Sequence, residues 1–142
     1  MLTLFKKKVD PIVLDEPTLR QKSRETTPRE IKRLRLAQRI QESLKTAWSP
    51  GYGLAAIQIG IPVRYAWYRI PKEEAPGKKE TVQELINPRI LKLDGPFVLP
   101  GEGCLSFPGE RLPTKRYSTV IYENDGQQFM AQGLEAVIIQ HE

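Results

Sequence analysis

The order of structural signals along the chain predicts a domain with one early helix, several strands and a last helix, and three observations carry that reading. A capping sequence at Thr27 opens an amphipathic helix. Segments with strand character follow from Val63 to Ala131, the last two joined by a hairpin turn. The final residues, Leu134 to Glu142, return to helical spacing. A length of 142 residues suits one core, so 1–142 is expected to be a single domain.

Each element has its own justification. Ile12-Val13-Leu14 is a short apolar run before Asp15-Glu16-Pro17 and reads as an extended segment ending in a turn. In Thr27-Pro28-Arg29-Glu30, threonine caps, proline suits the first helical position and glutamate completes a capping box. Apolar residues then recur at Ile31, Leu34, Ala37, Ile40, Leu44 and Trp48, so one helix is expected up to Ser49-Pro50-Gly51. Arg33, Arg35 and Arg39 fall off its apolar face. Val63 to Ile70 is β-branched and aromatic, as a strand should be. Residues 71–80, with Pro71, Pro76 and Gly77, form a loop. Val82 to Leu93 reads as short strands broken at Pro88, which suits an edge position. Lys115 to Glu123 alternates, Asn124-Asp125-Gly126-Gln127 turns, and Gln128 to Ala131 returns. In the last helix Leu134, Val137, Ile138 and His141 share the face expected to point inward.

Composition excludes several classes. With 39% apolar and 27% charged residues the chain is globular in type, and no apolar run approaches the roughly 20 residues that cross a bilayer. Met1 to Lys8 is too short in its apolar part for a signal peptide. One cysteine, Cys104, rules out an internal disulfide framework and fits a reducing compartment. The net charge is +5 and uneven. Residues 1–50 hold 12 Lys/Arg against 6 Asp/Glu, a net +6, and the remainder is close to neutral. That basic excess reads either as a solvated helix face or as a surface for RNA.

Three stretches bear on chemistry. Gly51 to Gly60 (Gly-Tyr-Gly-Leu-Ala-Ala-Ile-Gln-Ile-Gly) reads as a glycine turn into a buried strand, or as backbone that something approaches closely. No Gly-Lys-Ser/Thr follows, so it is not a phosphate loop. Glu102-Gly103-Cys104-Leu105-Ser106 lies in a loop bounded by glycine and proline, where the thiol is either presented or packed as a core filler. Gln140-His141-Glu142 opens a His-Glu-x-x-His pattern, in which two histidines one helical turn apart hold a metal and the glutamate is a general base.

Together the three stretches resemble the peptide deformylase family. Its signature is Gly-x-Gly-Leu-Ala-Ala-x-Gln, then Glu-Gly-Cys-Leu-Ser, then Gln-His-Glu-x-Asp-His. The chain carries the first at Gly51 to Gln58, the second at Glu102 to Ser106 and the first half of the third at Gln140 to Glu142. Pro17, Leu19-Arg20 and Leu85-Ile86-Asn87-Pro88 also look like family features, so the resemblance runs from about Ile12 to the end. It implies an α+β fold of mixed antiparallel sheets around a central C-terminal helix that bears the metal site, with one N-terminal helix. It implies removal of the formyl group from the N-terminal formyl-methionine of new proteins. Formyl-methionyl nascent peptides are then the partners, with transient ribosome contact and with neither a membrane nor specific DNA. The cytoplasm of a bacterial or phage-host cell, or an organelle, is the implied compartment.

The site residues follow from the same resemblance. Cys104 and His141 match metal ligands, and the metal is one divalent ion, Fe²⁺ in the cell, replaceable by Zn²⁺ or Ni²⁺. Glu142 matches the base that moves a proton from water to the leaving amine. The Gln58 amide and the Leu105 backbone N–H match the donors that meet the oxyanion. Tyr52, Gly53, Gly103, Val137 and Ile138 match positions around the methionine side chain, with Gly53 letting backbone approach the substrate. Arg111 holds the cysteine loop, contacts substrate or is plain surface.

The chain departs from the family pattern at one point. The second histidine would fall four residues after His141, past the last residue, Glu142. Three accounts stand: a shortened chain, a natural end with a substitute ligand such as a Glu142 carboxylate, or a metal-free relative that binds formyl-methionyl peptides without catalysis. A helix ending there is also expected to fray and to hold His141 and Glu142 poorly.

Overall fold

The computed structural model describes residues 8–75, 77 and 79–142. Met1 to Lys7 of the N-terminus and Pro76 of the expected loop lie outside the described residues.

The N-terminal third is held by capping and by pinning to later strands. Val13 is extended and donates its N–H to Gln58 O at 2.8 Å. The expected turn after it is a single helical turn, α1 (Glu16–Leu19), capped by Asp15, which accepts from Thr18 N at 3.1 Å. Helix α2 (Pro28–Arg33) starts where the sequence places it, with Thr27 Oγ1 accepting from Glu30 N–H at 3.1 Å. The Glu30 carboxylate is taken by Thr26 Oγ1 at 2.7 Å and by Arg24 at 2.7 and 3.0 Å.

The expected single helix is two. Arg35 adopts a left-handed conformation, φ 54° and ψ 42°, and α3 (Leu36–Lys45) begins after it. The break resets the helical phase, so Leu36, Ile40 and Ser43 are the buried residues of α3. Trp48 falls past its end and is 54% exposed, not core. Arg39, expected in solvent, makes a two-pronged pair with Asp10 at 2.8 and 2.9 Å.

Among the described residues, six strands form two antiparallel sheets. The first has order β1 (Gly53–Ala55), β2 (Tyr65–Ile70), β3 (Thr81–Ile86). The second has order β4 (Arg89–Gly103), β5 (Arg111–Asn124), β6 (Gln127–Gln132). Pro88 separates β3 from β4, and both are edge strands, as expected. Asp125 (φ 50°) and Gly126 (φ 78°) make the β5–β6 turn with two positive φ values, the form that matches strand twist.

Strand β2 explains the layering. It is buried on both faces, which is why its sequence is apolar almost throughout. Tyr65 and Trp67 face one core with Leu54, Leu36, Ile40 and Leu105. Ala66, Tyr68 and Ile70 face the other, with Val120, Tyr122 and Ala131 of the second sheet. Into that second core packs α4 (Gly133–His141), with Ala136, Ile138 and Ile139 buried. Gly133, at φ 61°, turns the chain from β6 into this helix. The architecture is thus the expected pair of antiparallel sheets around a C-terminal helix, with three short helices in place of one at the N-terminus.

The Glu30 contacts set a pH dependence. Hydrogen bonds from Arg24 and Thr26 hold its carboxyl at about 2, against an ordinary value of 4.5. A depressed value means that ionised Glu30 stabilises the fold above pH 4.5 and that this contribution is lost as pH falls toward 2. The thermal midpoint of the native chain is expected to drop more steeply across that window than that of Glu30→Gln. Parallel curves in a pH series of melts would exclude this.

Candidate active site

The three sequence stretches meet at one cleft. The first arrives on edge strand β1 and the single turn of 3₁₀ helix after it, Ala56–Ile59. The second arrives at the end of β4 and in the loop leading to β5. The third is the last turn of α4. The cleft has a volume of about 490 Å³, within the range of small-ligand sites. All ten residues singled out by sequence line it: Gln58, Cys104, Leu105, His141 and Glu142, with Tyr52, Gly53, Gly103, Val137 and Ile138.

Gln58 is buried and held at both ends of its amide. Its Oε1 accepts from Ala55 N–H at 3.0 Å. Its Nε2 donates to Ser106 Oγ at 3.1 Å and lies 3.6 Å from Cys104 Sγ. A side chain bonded this way has no rotamer freedom to lose when a ligand arrives.

His141 is fixed by a residue to which the sequence assigned no role. Its Nδ1 donates to Glu102 Oε2 at 2.7 Å. Glu102 also accepts from Arg116 Nε at 2.6 Å and Arg116 Nη2, and from Thr114 Oγ1 at 3.0 Å. A β-bulge makes this possible. Leu99 pairs with Thr114, yet Glu102 and not Gly101 pairs with Leu112. The extra residue turns the Glu102 side chain to the inner face, where Thr114 and Arg116 point. The Glu-Gly-Cys-Leu-Ser stretch was the available signal for Glu102; nothing local marked Arg116.

Charge in the cleft is mutually stabilised. Burial alone would raise the Glu102 carboxyl, but the bonds from Arg116, His141 and Thr114 hold it at about 2. The hydrogen bond with Cys104 raises His141 most; burial opposes this, Glu102 adds to it, and the imidazole reaches about 9. Burial pushes the Cys104 thiol up, while His141 and the Ser106 N–H outweigh that and bring it below its ordinary value. Burial pushes Glu142 up to about 7, and its Oε2 is a buried oxygen without a hydrogen-bond partner.

The donor chemistry fits a divalent cation. Cys104 sulfur and the His141 ring are within hydrogen-bonding reach of each other, a soft and a borderline donor of the kind that suits Zn²⁺ or Fe²⁺. Among the described residues, no group of three His, Cys, Asp or Glu side chains is placed to share one ion. The expected fraying of His141 is not what the geometry gives: its ring is tied to Glu102, and Glu142 N–H donates to Ile138 O at 2.9 Å.

Two expectations are refined. A Cβ on Gly53 would lie 2.2 Å from Trp67 O and 2.7 Å from Tyr68 Cβ. The glycine is therefore required by the close approach of β2 behind it, whatever occupies the cleft in front. Arg111 is exposed, and its Nη1 donates to Gly101 O of β4 at 3.2 Å.

Almost the whole chain matches a family model. The polypeptide deformylase model covers residues 9–142. A peptide deformylase of Agrobacterium fabrum is 38% identical over 136 residues, covering 92% of this chain and 77% of the relative. One from Campylobacter jejuni is 40% identical over 99 residues, 66% of this chain and 57% of the relative. This chain thus spans little more than half the length of some relatives it matches. The crystal structure of a probable peptide deformylase from Synechococcus phage S-SSM7 superposes with a TM-score of 0.78 at 26% identity, over 95% of this chain and 91% of that one.

Gly53→Ala is expected to destabilise the fold by about 3 kcal/mol, because backbone and not a flexible side chain meets the added methyl. Urea denaturation checks it; a loss under about 1 kcal/mol would mean that β1 and β2 separate freely.

Proposed function

The chain belongs to the polypeptide deformylase family, and from that premise we propose that it hydrolyses the formyl group from the N-terminal formyl-methionine of newly made polypeptides. The observation that supports this most is the meeting of Cys104, His141, Glu142, Gln58 and Leu105 on one cleft floor. Cys104 and His141 would hold the metal, with Fe²⁺ as the cellular ion and Zn²⁺ or Ni²⁺ as substitutes. When bound, the cation supplies positive charge that makes a water nucleophilic near neutral pH.

The remaining work falls to side chains. The substrate lies extended along the outer edge of β1, which has a sheet neighbour on one side only. Its methionine thioether enters between Val137 and Ile138, beside Tyr52 and Gly103. Water attacks the formyl carbon, and the carbonyl oxygen gains negative charge. Gln58 Nε2 and the Leu105 N–H donate to that oxygen, each such donor typically lowering a barrier by about 3 kcal/mol. Glu142 takes the proton from water and gives it to the departing nitrogen as the C–N bond breaks. Formate and a free α-amine result. A carboxyl raised by burial toward neutral pH is suited to both halves of that transfer.

The cytoplasm, or an organelle, and transient ribosome contact belong to the same reading. Among the described residues no helix is long and apolar enough to cross a membrane. Exposed Arg29 and Lys32 on α2 and Arg35 just after it form a basic surface, while Arg24 and Arg33 pair with Glu30.

A second reading is a relative that binds formyl-methionyl peptides in the same cleft without catalysis. One experiment separates the two. The chain is loaded anaerobically with Fe²⁺ or Ni²⁺ and formate release from a formyl-methionyl peptide is measured. Release is expected, with a loss of at least about 10³-fold in Cys104→Ala and Glu142→Ala. No release from a folded chain that retains peptide affinity would select the second reading.

A further inference from the structure

We propose that Trp48 is a positioning residue: its indole N–H holds the Leu105 carbonyl and thereby sets the cysteine loop against the glycine strand.

Trp48 was read from sequence as the last residue of a buried helical face. It instead stands at the rim of the cleft, more than half exposed. A large apolar side chain left in water gains little from its position, so its single directed contact is informative. That contact is a hydrogen bond from Nε1 to Leu105 O, at 2.9 Å. Ser49 and Pro50 follow, and Pro50 removes backbone freedom between the tryptophan and Gly51.

The loop it reaches is short of outside anchors. Two of its bonds are internal, Phe107 N–H to Cys104 O at 2.9 Å and Glu110 N–H to Phe107 O at 3.3 Å. Ser106 is held through its side chain, by Gln58. Leu105 packs its side chain where Gly51 leaves room, since a Cβ there would stand 2.7 Å from Leu105 Cδ1. Its carbonyl is held by Trp48. Trp48 and Gly51 therefore grip the same residue, one by its backbone and one by its side chain. Any rotation of Leu105 about its own backbone moves its N–H and the Cys104 sulfur on the preceding residue. Releasing the indole bond is expected to loosen both.

Only the turnover part of this inference rests on the proposed deformylase reading; the tether does not. The test accordingly has two arms, on Trp48→Phe, which keeps an aromatic ring and deletes the N–H. In the first, the chain with chelator present is treated with iodoacetamide at neutral pH, well below its melting temperature. Cys104 is the sole cysteine, so the rate reads that loop alone. A rise of about fivefold is expected. In the second, with metal restored, kcat is expected to fall about tenfold while KM for a formyl-methionyl dipeptide stays within about twofold. A merely structural role would lower the melting temperature and leave the alkylation rate of the folded chain unchanged, which would overturn the proposal. If the native chain releases no formate, the alkylation arm alone decides. Trp48→Leu gives the same readings should Trp48→Phe not fold.

Discussion

The geometry of the cleft depends on one carboxylate, Glu102. It is nearly buried, and it accepts from a guanidinium, a hydroxyl and an imidazole at once. Its charge is affordable inside the protein because every oxygen is matched. Removing it would strand Arg116 and His141, both half-buried, and the usual cost of breaking such a partnership is about 3 kcal/mol or more. The bond also chooses a tautomer: with Nδ1–H donated to Glu102, Nε2 is the nitrogen left for a metal or thiol. A carboxylate behind a ligating histidine both aims the ring and strengthens it as a donor.

Helix α4 shows how the fold serves that choice. It is apolar on most sides, as a helix between two sheets must be. The face that the sequence marks as inward, Leu134, Val137, Ile138 and His141, is the one that borders the cleft. The deepest burial belongs to Ala136 on another side, with Ile138 and Ile139 equally buried after it. Gln140, one residue before His141, clamps the last turn to β5. Its Oε1 accepts from Tyr117 N–H at 2.9 Å, and its Nε2 donates to Tyr117 O at 2.7 Å. This pair satisfies the backbone groups of one residue as a neighbouring strand would. The final turn is thus held by its own hydrogen bonds, by Gln140 and by Glu102.

The sequence made legible whatever rests on local pattern. The Thr27 cap, the Asp125-Gly126 turn, the hairpin strands beside it and the closing helix all follow from short-range chemistry, and the structure has them. The three motif stretches also named the residues that meet at the cleft. What escaped is set by long-range contact. The left-handed Arg35 has no glycine or asparagine to announce it, and the shifted phase of α3 follows from it. Arg39 looks solvated until Asp10, distant in sequence, comes to meet it. Gly53 was given a substrate-facing reason, whereas the atoms that exclude a side chain belong to β2. Glu102 reaches the inner face only through a one-residue bulge, and a bulge leaves no mark in an alternating pattern.

The cleft is therefore built with unequal stiffness. Gln58 has both ends of its amide engaged, and His141 is braced from two directions. Those groups are preorganised, so no binding energy is consumed in ordering them. Glu142 is the opposite case. Its Oε2 has no hydrogen-bond partner among the described residues, and burial raises its carboxyl toward neutrality. A buried acceptor left empty is costly in a resting protein and useful where a proton must be taken up and passed on. The bonds made by Glu102, Gln140 and Gln58 supply the rigidity around it.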